Sequence, residues 1–430
     1  MATEQTMMTE WRKVALGDVC TKIGSGATPR GGKEVYLEDG PYTLIRSQNV
    51  YNTGFTRDGL AFISDEHAES LSNVEVLPDD VLLNITGDSV ARVCQVDPLV
   101  LPARVNQHVA IIRPDPDKLD ATYLRYYLAS PETQAMLLSW AGSGGTRNAP
   151  TKQMIESFEV RAPTDISEQR AIAHILGTLD DKIDLNRRMN ETLEEMAQAI
   201  FKDWFVDFGP VRAKIEGCWR RGESLPGLPA EHYDLFPDRL VPSELGEIPE
   251  GWEVKALGEL VELAYGKALR AADRKGGPIP VYGSNGQVGW HDQKLVAGPG
   301  IVVGRKGNPG IITWSHSDFF PIDTTFYVVP KDDDGRMPFL FFALTGQDLP
   351  SISGDSAVPG LNRNLAYMNR QLVPDKLVVD KFNDYASAIF FRRRCLEEES
   401  RSLSAQRDAL LPKLVSGEVR TEDQGGDVQI

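Results

Sequence analysis

Between Ser167 and Phe208 the apolar residues fall at heptad spacing: Ile172, Leu179, Leu193 and Ile200 share one column, with Asn186 as its only polar member. A second column runs Leu176, Ile183, Asn190, Ala197 and Trp204. Two such columns form the a/d seam of a long helix that needs a partner helix to cover it. Ser167 is expected to cap its start, with Glu168 and Gln169 in the first turn, and Gly209-Pro210 to stop it. About forty residues at ~1.5 Å each predict a rod of about 60 Å. Phe382, Ile389, Leu396, Leu403 and Leu410 repeat the spacing between Asp380 and Val415, so the partner helix lies in the same chain. The two seam asparagines, Asn186 and Asn190, are expected to fix register at a cost in stability.

Outside the rods the pattern changes to short apolar runs broken by turn residues. In the first half these runs predict strands at Tyr42–Ile45, Val81–Ile85, Val109–Ile112 and Phe158–Val160, and in the second half at Ile279–Tyr282, Ile301–Val303, Ile311–Trp314 and Thr325–Val329. Neither half alternates strands with long helices. The expected class is α+β: two globular heads of mixed, largely antiparallel sheet, separated by two long antiparallel helices that form a coiled-coil spacer. The boundaries read as a first head over 1–166, a central helix over 167–208, an irregular Pro- and Gly-rich connector over 209–249, a second head over 250–378, a distal helix over 379–417 and an acidic tail over 418–430.

The halves are copies of one plan. Trp11-Arg-Lys-Val-Ala-Leu-Gly-Asp-Val19 recurs as Trp252-Glu-Val-Lys-Ala-Leu-Gly-Glu-Leu260, with Trp, Leu, Gly, acid and aliphatic in register. Lys118–Leu128 is echoed by Arg336–Leu344, each expected to open a short amphipathic helix, and the two seams close the repeat. Trp11 and Trp252 are expected to be core anchors. The frame is duplicated while the material between differs in length and sequence, as in a scaffold carrying two different recognition heads.

Composition narrows the class. A chain of 430 residues with 41% hydrophobic content supports two or three folded units. No charged-then-apolar leader opens the sequence and no apolar run reaches the ~20 residues of a membrane span, so a cytoplasmic location is expected. Cys20, Cys94, Cys218 and Cys395 show no CxxC spacing, which argues against a zinc ribbon or a disulfide framework. The formal charge of −16 opposes a uniform phosphate-binding surface. Much of the acid, however, falls on the helices and the tail, whereas Arg30, Lys33, Arg46, Arg147, Lys267, Arg270, Arg274, Lys275, Arg305, Lys306 and Arg363 lie in Gly-rich, loop-like contexts.

Catalytic signatures are missing: there is no phosphate loop, no GxGxxG after a strand, no HExxH and no Asn/Asp-Pro-Pro-aromatic loop of an adenine methyltransferase. No catalytic, cofactor-binding or metal-ligating set is expected. The polar loops instead carry the side chains that read base edges, since Arg, Asn and Gln make bidentate contacts with guanine or adenine. In the first head these are Arg46, Ser47, Gln48 and Asn49; Thr86; Arg104, Asn106, Gln107 and His108; and Thr146 and Arg147. In the second they are Tyr282, Ser284 and Asn285; Arg305, Lys306 and Asn308; Thr324 and Thr325; and Asn362 and Arg363. Arg104 and His108 read equally well as partners of a buried acid.

The strings SEQRAIAHILGTLDDKIDLNRRMNETLEEMAQAIFKDWFVDFGPVRAK (167–214), LGEIPEGWEVKALGEL (245–260), YGSNGQVGW (282–290), VVGRKGNPG (302–310) and RDALLPKLVSGEV (407–419) resemble the specificity (S, HsdS) subunit of type I restriction-modification systems over essentially the whole chain. The first head matches in outline, through LIRSQNV and RVNQHVAIIRP. The resemblance implies a non-catalytic, double-stranded-DNA-binding subunit whose heads enter the major groove and read a bipartite, asymmetric target. It implies two methyltransferase subunits docked on the paired helices, methylating adenine N6 on a flipped base, and restriction subunits joined through them. S-adenosylmethionine, ATP and magnesium are then expected on the partner subunits, none on this chain. A coiled-coil scaffold whose heads bind proteins is the alternative.

Overall fold

A computed structural model of the chain describes residues 10–142, 150–332, 336–352 and 360–421. It divides into two units, residues 1–184 with 400–430 and residues 185–399, and the division falls inside both long helices. Each unit therefore carries one head and one stretch of each helix.

In the first unit an antiparallel sheet has the order Cys20–Ser25, Val109–Pro114, Val81–Asn84, Val93–Gln95. A second sheet runs Ala61–Ile63, Tyr42–Ile45, Ala103–Val105, Glu75–Val76, in which only the pair Tyr42–Ile45 and Ala103–Val105 is parallel. The two central strands, Val81–Asn84 and Val109–Pro114, are buried almost throughout because both faces are covered. Val81, Leu83, Ala110 and Ile112 point into a core shared with the helix Ala121–Ala129, and Leu82, Cys94, Val109 and Ile111 into a core shared with the second sheet. Asp80, wholly buried, accepts a fork from Arg113 at 2.6 and 2.8 Å and a bond from the Leu77 amide at 2.8 Å.

The second unit repeats this plan with one strand fewer in its second sheet. Its antiparallel sheet has the order Val261–Tyr265, Thr325–Pro330, Gly300–Gly304, Ile312–Ser315. A second sheet, Gly286–His291, Ile279–Gly283, Phe320–Pro321, again contains one parallel pair, the last two strands. The repeated Trp-containing segments begin each copy: Trp11–Ala15 pairs with Glu159–Pro163, and Glu253–Ala256 with Arg370–Val373. Trp252 is buried against Phe205 and Phe208, and Trp11 packs against its core beneath Arg161. The helix Met337–Thr345 differs from expectation: Pro338 to Leu344 are all buried, so it is apolar all round rather than amphipathic. Phe341 and Phe342 lie 5.7 and 5.8 Å from the Phe390 ring on the distal helix, and Phe342 lies 5.7 Å from Phe201 on the central one.

The central helix spans Ile166–Phe205 and the distal helix Lys376–Ser416. Within the first unit Ile172 and Leu176 share a core with Leu411, Leu414 and Val415, and Asp180 meets Arg407 at 2.7 Å. Within the second unit Asn186 Nδ2 donates to Glu399 at 2.8 Å, Glu194 pairs with Arg393 at 2.9 Å and Phe201 packs on Phe382 at 5.6 Å. Rising numbers on one helix meet falling numbers on the other, so the pairing is antiparallel in both. Of the predicted seam, Ile172, Phe382 and Leu396 are buried and Leu179, Leu193, Ile200, Ile389, Leu403 and Leu410 half-buried; the second column holds deeper positions at Leu176, Ala197 and Trp204. Asn186 is fully buried.

The helix ends differ from the expected signals. Asp165, not Ser167, caps the start: its carboxylate accepts from the Ser167 amide at 2.9 Å and hydroxyl at 2.6 Å, which holds it below the usual carboxylate range. At the other end the left-handed residue is Phe208 (φ 56°), and Gly209-Pro210 opens a new helix, Gly209–Ile215. The buried Phe208 ring, edge-on to Trp252, provides packing that offsets the cost of that backbone. Nor is 209–249 an irregular connector. It forms a ribbon of Leu240–Ser243 with Gly246–Pro249 and buries Val211, Trp219, Leu228, Phe236 and Ile248 in the second unit's core.

Candidate nucleic-acid interface

In the first head, hydrogen bonds and burial separate the nominated residues into two groups. Asn49 is fully buried and ties its own loop: Oδ1 accepts from the Arg46 amide at 3.1 Å, and Nδ2 donates to the carbonyls of Thr56 and Asp58 at 3.1 and 3.2 Å. Arg104, 6% exposed, donates to the carbonyls of Ala68 and Ala103 at 3.1 and 2.9 Å, lies over Tyr42 and approaches Glu75 at 3.5 Å. Asn106 is buried and accepts from the His108 amide at 3.0 Å. These three hold the sheet ends in shape, and their side chains do not reach the surface. Arg46 is half-buried, hydrogen-bonded to the Gly59 carbonyl and placed over Tyr36, while Ser47 lends its carbonyl to Asn84 at 2.8 Å.

The second group forms one polar chain at the surface. Thr28 Oγ donates to Gln107 Oε1 at 2.6 Å, Gln107 Nε2 donates to His108 Nε2 at 2.8 Å, and His108 Nδ1 bonds Thr86 Oγ. The amide nitrogen has only donors, so His108 Nε2 accepts and Nδ1 carries the proton. Gln107 is exposed and held in one amide orientation, with a further N–H and a further lone pair unassigned. Gln48, also exposed, donates to Gly59 at 3.0 Å. Thr146 and Arg147 lie outside the described residues.

The second head gathers its loops more tightly. The amides of Arg305 and Lys306 both donate to the Thr324 carbonyl, at 2.9 and 3.1 Å, and Ser284 Oγ reaches the same carbonyl at 2.9 Å as well as the Lys306 carbonyl. The Leu361 amide donates to the Arg305 carbonyl at 2.9 Å. Gly304 makes the crossing possible, since a Cβ there would lie 2.3 Å from the Asn308 carbonyl oxygen and 2.9 Å from that of Ser284. The loop residues Asn285, Lys306 and Asn308 are exposed on this surface. Tyr282 and Thr325 are buried: Tyr282 packs edge-on to Phe319, and Thr325 Oγ donates to the Ile322 carbonyl at 2.8 Å. Asn362 caps the helix Arg363–Met368, accepting from the amides of Asn364 and Leu365. Thr324 contributes its carbonyl to the hub.

Arg305 and Arg363 sit with their guanidinium carbons 5.1 and 4.9 Å from the centre of the Tyr265 ring. Among the described residues Arg305, Lys306, Arg363 and Lys267 make no ion pair, so this surface is locally basic on an acidic chain. Tyr265, half exposed, was not among the nominated residues. The signal that could have found it is its place as the last residue of the strand after the repeated Trp element, directly before Gly266-Lys267.

Residues 8–195 and 249–364 match the model of the type I restriction modification DNA specificity domain. The chain belongs to that specificity-subunit family. Both matched segments carry the loops described above. It is 24% identical to the HindI type I restriction enzyme specificity subunit of Haemophilus influenzae, over 96% of this chain and all of that one. It is 22% identical to the MjaIX specificity subunit of Methanocaldococcus jannaschii, over 96% of this chain and 94% of that one. Among solved structures, the S subunit of a type I system from M. genitalium superposes with a TM-score of 0.59 at 17% identity, covering 96% of this chain and 98% of its own, a likeness of fold.

Among the described residues no group of three His, Cys, Asp or Glu side chains is arranged to hold a metal, and no helix is long and apolar enough to cross a membrane. Burial pushes the thiols of Cys20 and Cys94 up to about 12, away from reactive thiolate chemistry.

Proposed function

We propose that this specificity subunit reads a bipartite, asymmetric DNA target, each head entering one major groove, and that it directs partner methyltransferase and restriction subunits there without chemistry of its own. The observation that carries the reading is the duplicated topology. Each unit has the same strand order in its fully antiparallel sheet and an antiparallel stretch of the same two helices, yet the surface loops differ: a Thr28–Gln107–His108–Thr86 chain in one, a basic Tyr265–Arg305–Arg363 group in the other. Different readers on equivalent scaffolds fit two different half-sites.

The paired helices act as a ruler. A helix of 40 residues at ~1.5 Å each spans about 60 Å, which limits the half-sites to about 17 base pairs apart, and reading one face of the duplex favours about one helical turn. Exposed acids along the central helix, including Asp181, Glu191 and Glu195, offer a docking face for two methyltransferase subunits and need not oppose DNA binding by the heads. S-adenosylmethionine, ATP and magnesium belong on those partners and on the restriction subunits they recruit.

Mapping N6-methyladenine genome-wide, with and without this chain, tests the reading. The expected outcome is two short, different half-sequences separated by an unread gap; a continuous or palindromic motif would sink it. If instead the heads bind proteins, neither the chain nor its complex with a methyltransferase subunit would shift DNA in a gel.

A further inference from the structure

We infer that Tyr265, Arg305 and Arg363 form a clamp for one DNA backbone phosphate in the second half-site, with Tyr265 as the positioning residue that holds both guanidiniums. This inference rests on the DNA-reading function proposed above and adds the chemical class bound at this place.

The three residues come from separate parts of the head: the end of the strand Val261–Tyr265, the loop after Gly300–Gly304 and the first residue of the helix Arg363–Met368. Hydrogen bonds to backbone carbonyls fix their meeting. The Leu361 amide donates to the Arg305 carbonyl, the Arg305 amide donates to the Thr324 carbonyl, and Arg363 Nη1 reaches the Leu263 carbonyl at 3.5 Å. Arg305 also lies 5.8 Å from the Phe326 ring, and Arg363 5.8 Å from that of Tyr367.

Two guanidiniums lying 5.1 and 4.9 Å from the centre of one ring gather positive charge around it, and neither has a carboxylate partner among the described residues. Arg305 Nε, moreover, is buried without a hydrogen-bond partner. An anion received by both compensates that charge. A phosphodiester carries that charge and presents acceptor oxygens to a planar fork, whereas a guanine edge is neutral and leaves two like charges uncompensated. Aromatic stacking restricts both side chains before DNA arrives, so less ordering remains on binding. Among the described residues of the first head no ring is shared by two arginines, and the corresponding strand ends at Ser25. The first head's half-site serves as an internal control.

The test measures binding of the chain with its methyltransferase partner to duplexes carrying the mapped target and to all single-base variants of each half-site, across a salt series. Arg305→Gln and Arg363→Gln are each expected to weaken binding about 10-fold, equally for every second-half-site variant, and to lower the slope of log K against log salt by about one. Arg363→Lys should keep the slope and lose part of the affinity. Tyr265→Ala should weaken binding several-fold with the slope unchanged, and Tyr265→Phe should behave as the parent. Unchanged melting temperatures exclude unfolding as the cause. Loss of discrimination at one base position, an unchanged slope in both glutamine variants, or full affinity in Tyr265→Ala overturns the clamp. An unsubstituted complex that does not prefer its mapped target refutes the DNA-reading function itself.

Discussion

Arg104 and Gln107 are three residues apart in the string that singled out the first head, yet the fold gives them opposite roles. Arg104 lies inside the sheet and donates to two backbone carbonyls, whereas Gln107 stands at the surface with its amide held by Thr28 and His108. Arg104→Ala is therefore expected to lower stability by about 1–3 kcal/mol, visible as a lower urea midpoint, with no change in target sequence. Gln107→Ala should melt like the parent and lose discrimination of about 1–3 kcal/mol at one adenine of the first half-site, because Gln pairs bidentately with adenine N6 and N7. The binding panel of single-base duplexes checks this, and an unaltered panel removes Gln107 from the readers. Cys218 is the exposed cysteine and Cys94 a buried one, so a thiol reagent should label Cys218 rapidly in the native protein and Cys94 only after denaturation.

At the scale of elements, the long helices depend on polar fastenings as well as apolar ones. Asp180 receives Arg125 and Tyr126 from the helix Ala121–Ala129 and Arg407 from the distal helix, each at 2.7 Å. Burial alone would raise its carboxyl, but the Arg125 charge and the hydrogen bonds from Arg125, Arg407 and Tyr126 outweigh it and hold the pKa below the usual carboxylate value. A depressed native pKa contributes stability above the unfolded value and loses it as pH falls through the native one, so the contribution is complete above about pH 5 and declines below ~4. Asp180→Asn should lower the urea midpoint at pH 6 and narrow the difference between pH 6 and pH 3; an equal loss at both pH values would contradict this. The proposed register role of the buried Asn186 predicts that replacing it by Leu raises thermal stability, since a polar seam residue costs stability, and loosens the gap between half-sites.

At the scale of the whole molecule, the proposed ruler puts the gap between half-sites under the control of helix length. Inserting one heptad into both rods should change the gap between half-sites while each half-sequence stays as before, measured by methylation mapping; an unchanged gap refutes the ruler. The net charge of −16 belongs to this scale as well. It misleads when taken as a sum, because the second head's basic group is local and the acid is distributed elsewhere.

The sequence by itself determined the periodic features: two heptad helices, a duplicated Trp-to-seam frame, and strands placed within a few residues, because burial on a repeating surface writes itself into spacing. It also carried the family, through strings spread over the chain. The roles of single polar residues were legible only in the tertiary structure. Arg, Asn and Thr at loop positions look alike whether they face solvent or complete a buried backbone group, as Asn49 and Thr325 do. The connector read as irregular because its Pro and Gly residues conceal Trp219 and Phe236, whose burial depends on partners distant in sequence. The Tyr265 group became visible for the same reason: three residues scattered from 265 to 363 meet only when the strands and loops that carry them are hydrogen-bonded together.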